Sequence, residues 1–187
     1  VVKVGIKDIT VVVGHLAEQF ESLKDKYPMI ELVNNESYSR ENNIASAYVV
    51  RDKLSNSYVL ESDLVLYNPE LIRKYEYDSN YIGYKTEYSD DWCFKVDGRY
   101  IKQVLIGGKD VYHMYGISYW SKEDGQRLSQ DIATVYATDD GKQKYWDEVA
   151  LKDYQDKYNI MIRPVSNEDI VEIDSYEELK ILDDSYA

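Results

Sequence analysis

Asp8-Ile9-Thr10-Val11-Val12-Val13-Gly14 is the stretch that decides the fold class. A continuous apolar run of strand length, closed by Gly, is the pattern of a parallel strand covered on both faces; a strand with one wet face would alternate. Upstream, Val1 to Val4 followed by Gly5 reads as a helix end with Gly at the left-handed cap. Downstream, Leu16, Phe20 and Leu23 recur at helical spacing over 15–27, and Pro28 stops that helix. A second strand is expected over 29–33, a helix over 44–54, and a third strand at Ser57-Tyr58-Val59-Leu60. Asn68-Pro69-Glu70 then has the form of a helix start, with Asn as cap and Pro at the first helical position. Alternating strand and helix predicts a parallel, doubly wound sheet.

The middle of the chain changes character. Trp92-Cys93-Phe94-Lys95-Val96 and Arg99-Tyr100-Ile101-Lys102-Gln103-Val104 flank Asp97-Gly98, a strong hairpin signal, and a further strand is expected over 111–120. An antiparallel portion therefore joins the parallel one. Helices are expected over 122–136 and 142–158, strands over 160–165 and 170–173, and a last helix from Ser175, whose side chain forms a capping box with Glu178. No internal repeat or low-complexity linker breaks the 187 residues, so a single α/β domain is expected over 1–187.

Lys plus Arg number 22 against 35 Asp plus Glu, a net charge of −13. A phosphate backbone or an anionic lipid surface would be repelled, which argues against nucleic-acid and membrane partners. The sequence contains neither an apolar run long enough to span a bilayer nor a basic-then-apolar leader. Cys93 is the single cysteine, which rules out an internal disulfide and a thiolate metal cluster. A cytoplasmic location is expected. Tyrosine occurs 20 times; its rigid ring and polar tip suit ligand pockets and interfaces, and AT-rich codon usage explains the same count.

Ligands of open parallel sheets gather beyond the carboxyl ends of strands. Asp63 falls just past the third strand, and Glu172 and Asp174 close the strand before the last helix. Carboxylates brought together there would suit Mg²⁺, a hard cation that keeps water and phosphate oxygens as its other ligands. On spacing alone, Asp63 reads first as a loop acid and Asp174 as support for the helix cap. The stretch 34–43 is rich in Asn, whose amides can read a base or ribose, and it reads equally as a turn-rich loop. Tyr88 with Trp92, Tyr119 with Trp120, and Tyr145 with Trp146 place ring faces that could surround a quaternary ammonium, or simply pack a core. Neither His15 nor His113 reads as catalytic, since attack by a phosphate oxygen needs no strong base.

In order, Val11-Val12-Val13-Gly14, Asn42-Asn43-x-x-Ser46, Ser57-Tyr58-Val59-Leu60-Glu61-Ser62-Asp63, Asp91-Trp92, Gly116-Ile117-Ser118-Tyr119-Trp120, Tyr145-Trp146-Asp147 and Glu172-Ile173-Asp174-Ser175 form a pattern over essentially the whole chain. It resembles the bacterial CTP:phosphocholine cytidylyltransferases of the sugar-nucleotidyltransferase-like superfamily. The resemblance implies a Rossmann-like, mainly parallel sheet with helices on both faces and an antiparallel hairpin portion, as in nucleotide-diphospho-sugar transferases. It also implies an enzyme that joins CTP and phosphocholine to give CDP-choline and pyrophosphate, with Mg²⁺ as cofactor.

By the same resemblance, Asp63 and Asp174 are expected to be catalytic and, with Glu172, to hold the metal. Asn42, Asn43 and Ser46 are expected to line the nucleotide, Trp92 and Tyr145 to face the choline group, and Lys85 to approach the substrate phosphate. Family members begin with a strand and a Gly-rich loop carrying a basic residue, then a Pro-Lys pair, and nothing in 1–187 corresponds to these. The expectation is a domain lacking its N-terminal strand and phosphate loop, weak or inactive alone. Glu61 stands where the family often has Asp, a change of little consequence if Glu61 is no ligand. The alternatives are transfer to another phospho-alcohol or a sugar 1-phosphate, or a non-catalytic ligand-binding remnant. A fusion to, or an operon with, a choline kinase is a further possible partnership.

Overall fold

A computed structural model describes residues 1–186. Chain contacts divide it into two compact units, one built from Val1–Ser57, Lys74–Ser79 and Tyr119–Asn159, the other from Tyr58–Arg73, Asn80–Ser118 and Ile160 onward.

In the first unit, β1 (Ile9–Val13) pairs in parallel with β2 (Ile30–Asn34), from Ile9↔Ile30 to Val13↔Asn34. The expected parallel pairing is present, but β1 is covered less than its apolar run suggests: Ile9 to Val12 stay half-buried because the two strands form a sheet of their own. The helix expected over 15–27 is a 3₁₀ turn, Ala17–Glu21, followed by α1 (Ser22–Lys26). The Ser22 hydroxyl donates to the Gln19 carbonyl, 3.0 Å, where the 3₁₀ turn passes directly into α1. α2 (Ile44–Val49) and the long α3 (Lys122–Tyr136) supply the buried Ile44, Leu128 and Ile132. Gly125 of α3 permits close approach, since a Cβ there would lie 2.2 Å from the Leu54 carbonyl oxygen. Trp120 is fully buried, with Trp146 and Tyr158 edge-on to it at 5.9 and 6.0 Å.

The second unit carries a four-stranded sheet in the order β3 (Ser57–Leu60), β6 (Tyr100–Trp120), β5 (Asn80–Asp97), β7 (Met161–Pro164). β5 and β7 run parallel from Asn80↔Met161 to Gly83↔Pro164. The expected hairpin turns at Gly98, φ 59°, but its strands are far longer than the sequence pattern suggests, with 18 and 21 residues. Gly107 and Asp110, at φ 75° and 54°, absorb the bend that separates 99–104 from 111–120 in the sequence reading, so one strand spans both. β4 (Leu64–Leu66) pairs antiparallel with β8 (Ile170–Glu172) as a separate ribbon. Asn68 caps only a 3₁₀ turn, Pro69–Leu71, through its side-chain oxygen and the Glu70 N–H at 3.0 Å. α4 (Tyr176–Leu182) has the full capping box expected of Ser175 and Glu178.

The fold is of the α/β class expected, with parallel pairs at β1–β2 and β5–β7 and an antiparallel hairpin portion. Among the described residues no helix is long and apolar enough to cross a membrane.

Candidate active site

The β4–β8 ribbon places two distant stretches of chain side by side. Leu64 pairs with Glu172, and the Ile173 N–H donates to the Asp63 carbonyl at 2.8 Å. Glu61 leaves β3 with its own N–H bonded to the Gly116 carbonyl on β6, 2.8 Å. Carboxylate oxygens of Glu61, Asp63 and Glu172 lie within 4.8 Å of one another. Burial first, and then the charges of Asp174, Asp63, Glu61 and Asp91, push the Glu172 carboxyl up to about 7. Such a set can hold a divalent cation, whose charge would relieve the repulsion.

Asp63 and Glu172 are thus brought together as the sequence suggests. Asp174 follows at the exposed entrance to α4, where its N–H donates to the Glu178 carboxylate at 2.8 Å. The third carboxylate in mutual reach is Glu61, which sequence reasoning left aside. Its signal was Gly116, whose missing side chain leaves the space that Glu61 fills.

Trp92 and Lys85 both belong to β5 in the same unit. Trp92 is half-buried, and its backbone N–H donates to the Asp91 carboxylate at 2.6 Å. Lys85 pairs with Asp110 at 2.5 Å and sits 5.2 Å from the Tyr112 ring centre.

Asn42, Asn43, Ser46 and Tyr145 belong to the first unit. Asn42 donates through Nδ2 to the Gln143 carbonyl at 3.0 Å, and its backbone N–H donates to the Lys142 carbonyl at 2.9 Å. Asn43 accepts the Trp146 N–H at 2.9 Å, and Ser46 accepts from the buried Asn35 at 3.0 Å. These bonds correct the helix expected over 142–158. Backbone groups of 142–146 bond to the asparagine loop instead, leaving a 3₁₀ turn at Gly141–Gln143, a π turn at Val149–Asp153 and a 3₁₀ turn at Gln155–Lys157. The same bonds position Tyr145, which is 42% exposed.

No protein-family model matches the chain. A 2-aminoethylphosphonate cytidylyltransferase of Lancefieldella rimae is 35% identical over 191 residues, covering 100% of this chain and 77% of that protein. The chain belongs to the bacterial cytidylyltransferase family. A second cytidylyltransferase, the choline-phosphate enzyme of Streptococcus pneumoniae, is 28% identical over 181 residues, 96% of this chain and 78% of that protein. The solved CTP:phosphocholine cytidylyltransferase of Streptococcus pneumoniae superposes with a TM-score of 0.88 at 27% identity, covering 99% of this chain and 81% of that one. The resemblance read from the motifs is borne out, and this cytidylyltransferase is an enzyme of the nucleotidyltransferase class.

Proposed function

We propose that the protein is an Mg²⁺-dependent cytidylyltransferase that joins CTP and phosphocholine to give CDP-choline and pyrophosphate. The observation that carries this reading is the convergence of Glu61, Asp63 and Glu172. An all-carboxylate donor set is hard and oxygen-rich, which fits Mg²⁺, and Gly116 keeps the space in which Glu61 sits. Glu61, Asp63 and Glu172 would hold the ion, with Asp174 adding negative charge beside them. The ion would supply neutralisation of the triphosphate, which a chain of net charge −13 needs before it can hold that anion.

In the reaction, a phosphate oxygen of phosphocholine forms a bond to the α-phosphorus of CTP. The bond from that phosphorus to the β-bridging oxygen breaks, and pyrophosphate leaves with its electron pair. The rings of Trp92 and Tyr145 would face the trimethylammonium group. Lys85 would approach the substrate phosphate on release from Asp110. Asn42, Asn43 and Ser46 would line the nucleotide and hold the segment that presents Tyr145.

A second reading has a specific source: the 35% identical relative is named for 2-aminoethylphosphonate. That acceptor carries a primary ammonium, and its phosphonate oxygen would attack in the same way. Pyrophosphate release with CTP, Mg²⁺ and each of phosphocholine, phosphoethanolamine, 2-aminoethylphosphonate and a sugar 1-phosphate separates them. The proposal expects the highest kcat/KM with phosphocholine and a KM rise specific to it in Trp92→Ala. Faster turnover of 2-aminoethylphosphonate, or no Mg²⁺ requirement, overturns it.

A further inference from the structure

His113, which the sequence pattern leaves in a strand without a task, stands beside the carboxylate triad. Asp91 on β5, His113 on β6 and Glu172 on β8 each offer a ligand atom within 4.8 Å of the other two. Three different strands therefore meet at one point, and the group differs from the triad in containing a ring nitrogen.

The histidine is held from several sides. The Ser89 hydroxyl lies 3.2 Å from His113 Nδ1, and the Asp91 N–H donates to that same hydroxyl at 3.2 Å. The rings of Tyr84 and Tyr115 stand 5.0 and 5.4 Å from the imidazole. Gly83 lets β5 and β6 close up at this level, since a Cβ there would meet the His113 carbonyl oxygen at 2.7 Å. A ring fixed in this way is pre-set for a ligand, as outer hydrogen bonds are in metal sites.

Charge points the same way. Glu172 feels Asp174, Asp63, Glu61 and Asp91, all carboxylates. One divalent ion offsets only two of these negative charges, and a triphosphate would bring more. Imidazole with carboxylates favours Mn²⁺, Co²⁺ or Zn²⁺, where a purely carboxylate set suits Mg²⁺.

We propose that Asp91, His113 and Glu172 form a second divalent-cation site, selective for the Mn²⁺, Co²⁺ and Zn²⁺ class, with Glu172 shared between it and the Glu61–Asp63–Glu172 triad. The two oxygens of the Glu172 carboxylate allow it to serve both ions. The inference meets the Mg²⁺ reading only at Glu172, so the two can fail separately.

The test is equilibrium dialysis and visible absorption of Co²⁺ with the metal alone as probe, in a millimolar Mg²⁺ background that occupies the triad. Wild type is expected to retain one Co²⁺ that Mg²⁺ does not displace, with a spectrum showing nitrogen ligation. His113→Ala should weaken this binding by about 10- to 100-fold, and Asp63→Asn should leave it in place. Asp91→Asn, at an exposed position that keeps the oxygen accepting from Trp92, should give the same loss and decides the matter if His113→Ala fails to fold. Unchanged Co²⁺ affinity in Asp91→Asn, or loss of the Mg²⁺-resistant ion in Asp63→Asn alone, overturns the proposal. Failure of Mg²⁺ to support turnover would count against the triad reading and leave this one standing.

Discussion

The carboxylate of Glu61 occupies the space that a side chain at Gly116 would need: a Cβ on Gly116 would stand 1.8 Å from Oε2 of Glu61 and 2.3 Å from its Cδ. With the Glu61 N–H bonded to the Gly116 carbonyl, the two residues lock the exit of β3 onto β6. A requirement for Gly at 116 thus follows from the position of an acid far away in sequence, and not from backbone strain.

Gly116→Ala is therefore expected to separate stability from function. The atoms in the way are the outer part of a flexible side chain, so Glu61 can swing aside at a folding cost near the low end of overpacking, about 1 kcal/mol. Its carboxylate would then leave Asp63 and Glu172. The Mg²⁺ concentration giving half-maximal activity should rise by about 10-fold or more, with the thermal midpoint nearly unchanged. Unaltered Mg²⁺ dependence would show that Glu61 is dispensable.

Asp63→Asn keeps the shape of the side chain and removes one negative charge from beside Glu172. If the metal supplies several kcal/mol of transition-state stabilisation, turnover should fall by about 100-fold or more. Removing a like charge also predicts a slightly higher melting temperature in Mg²⁺-free buffer. Asp174→Asn, outside the set in mutual reach, should lower turnover less. Near-normal activity of the Asp63 variant with Mg²⁺ would refute the metal assignment.

Asn43 offers a different kind of check, because its side-chain oxygen accepts the backbone N–H of Trp146, a residue only 6% exposed. Asn43→Ala leaves that donor unpaired and should destabilise the protein by about 1–3 kcal/mol in urea unfolding. Were Asn43 chiefly a reader of the base, the variant would instead unfold normally and show only a raised KM for CTP.

These cases mark what the sequence pattern could carry. Ser57–Leu60, Lys122–Tyr136 and the Ser175–Glu178 capping box are local matters of periodicity and cap chemistry, and they stand where the pattern places them. Asp63 and Glu172 were legible because both follow strand-like runs that end in acids. Glu61 was not, since its partner is an absent side chain on another strand. The helix expected over 142–158 failed for a similar reason: apolar spacing says nothing about an asparagine loop a hundred residues away that binds the same backbone groups. His113 sits in a strand whose sequence gives no hint that Asp91 and Glu172 come within reach.

Asp147 gives a pH-dependent prediction. It follows Trp146, is 6% exposed, and burial raises its carboxyl to about 6, with the Glu148 charge adding to the rise and backbone N–H groups of Asp147 and Glu148 opposing it. A carboxyl whose folded value lies above its unfolded value of about 4 favours the neutral acid in the fold. Its contribution to stability is complete below about pH 4 and is lost as pH rises through about 6, leaving the charged form at a disadvantage of roughly 2–3 kcal/mol. Asp147→Asn stays neutral throughout. Relative to wild type, its unfolding free energy should therefore climb between pH 4 and pH 7 and level off above, whatever the fixed cost of replacing a carboxyl by an amide. Denaturant unfolding of both proteins at several pH values measures this difference, and a flat one would mean that the Asp147 carboxyl titrates alike in the folded and the unfolded chain.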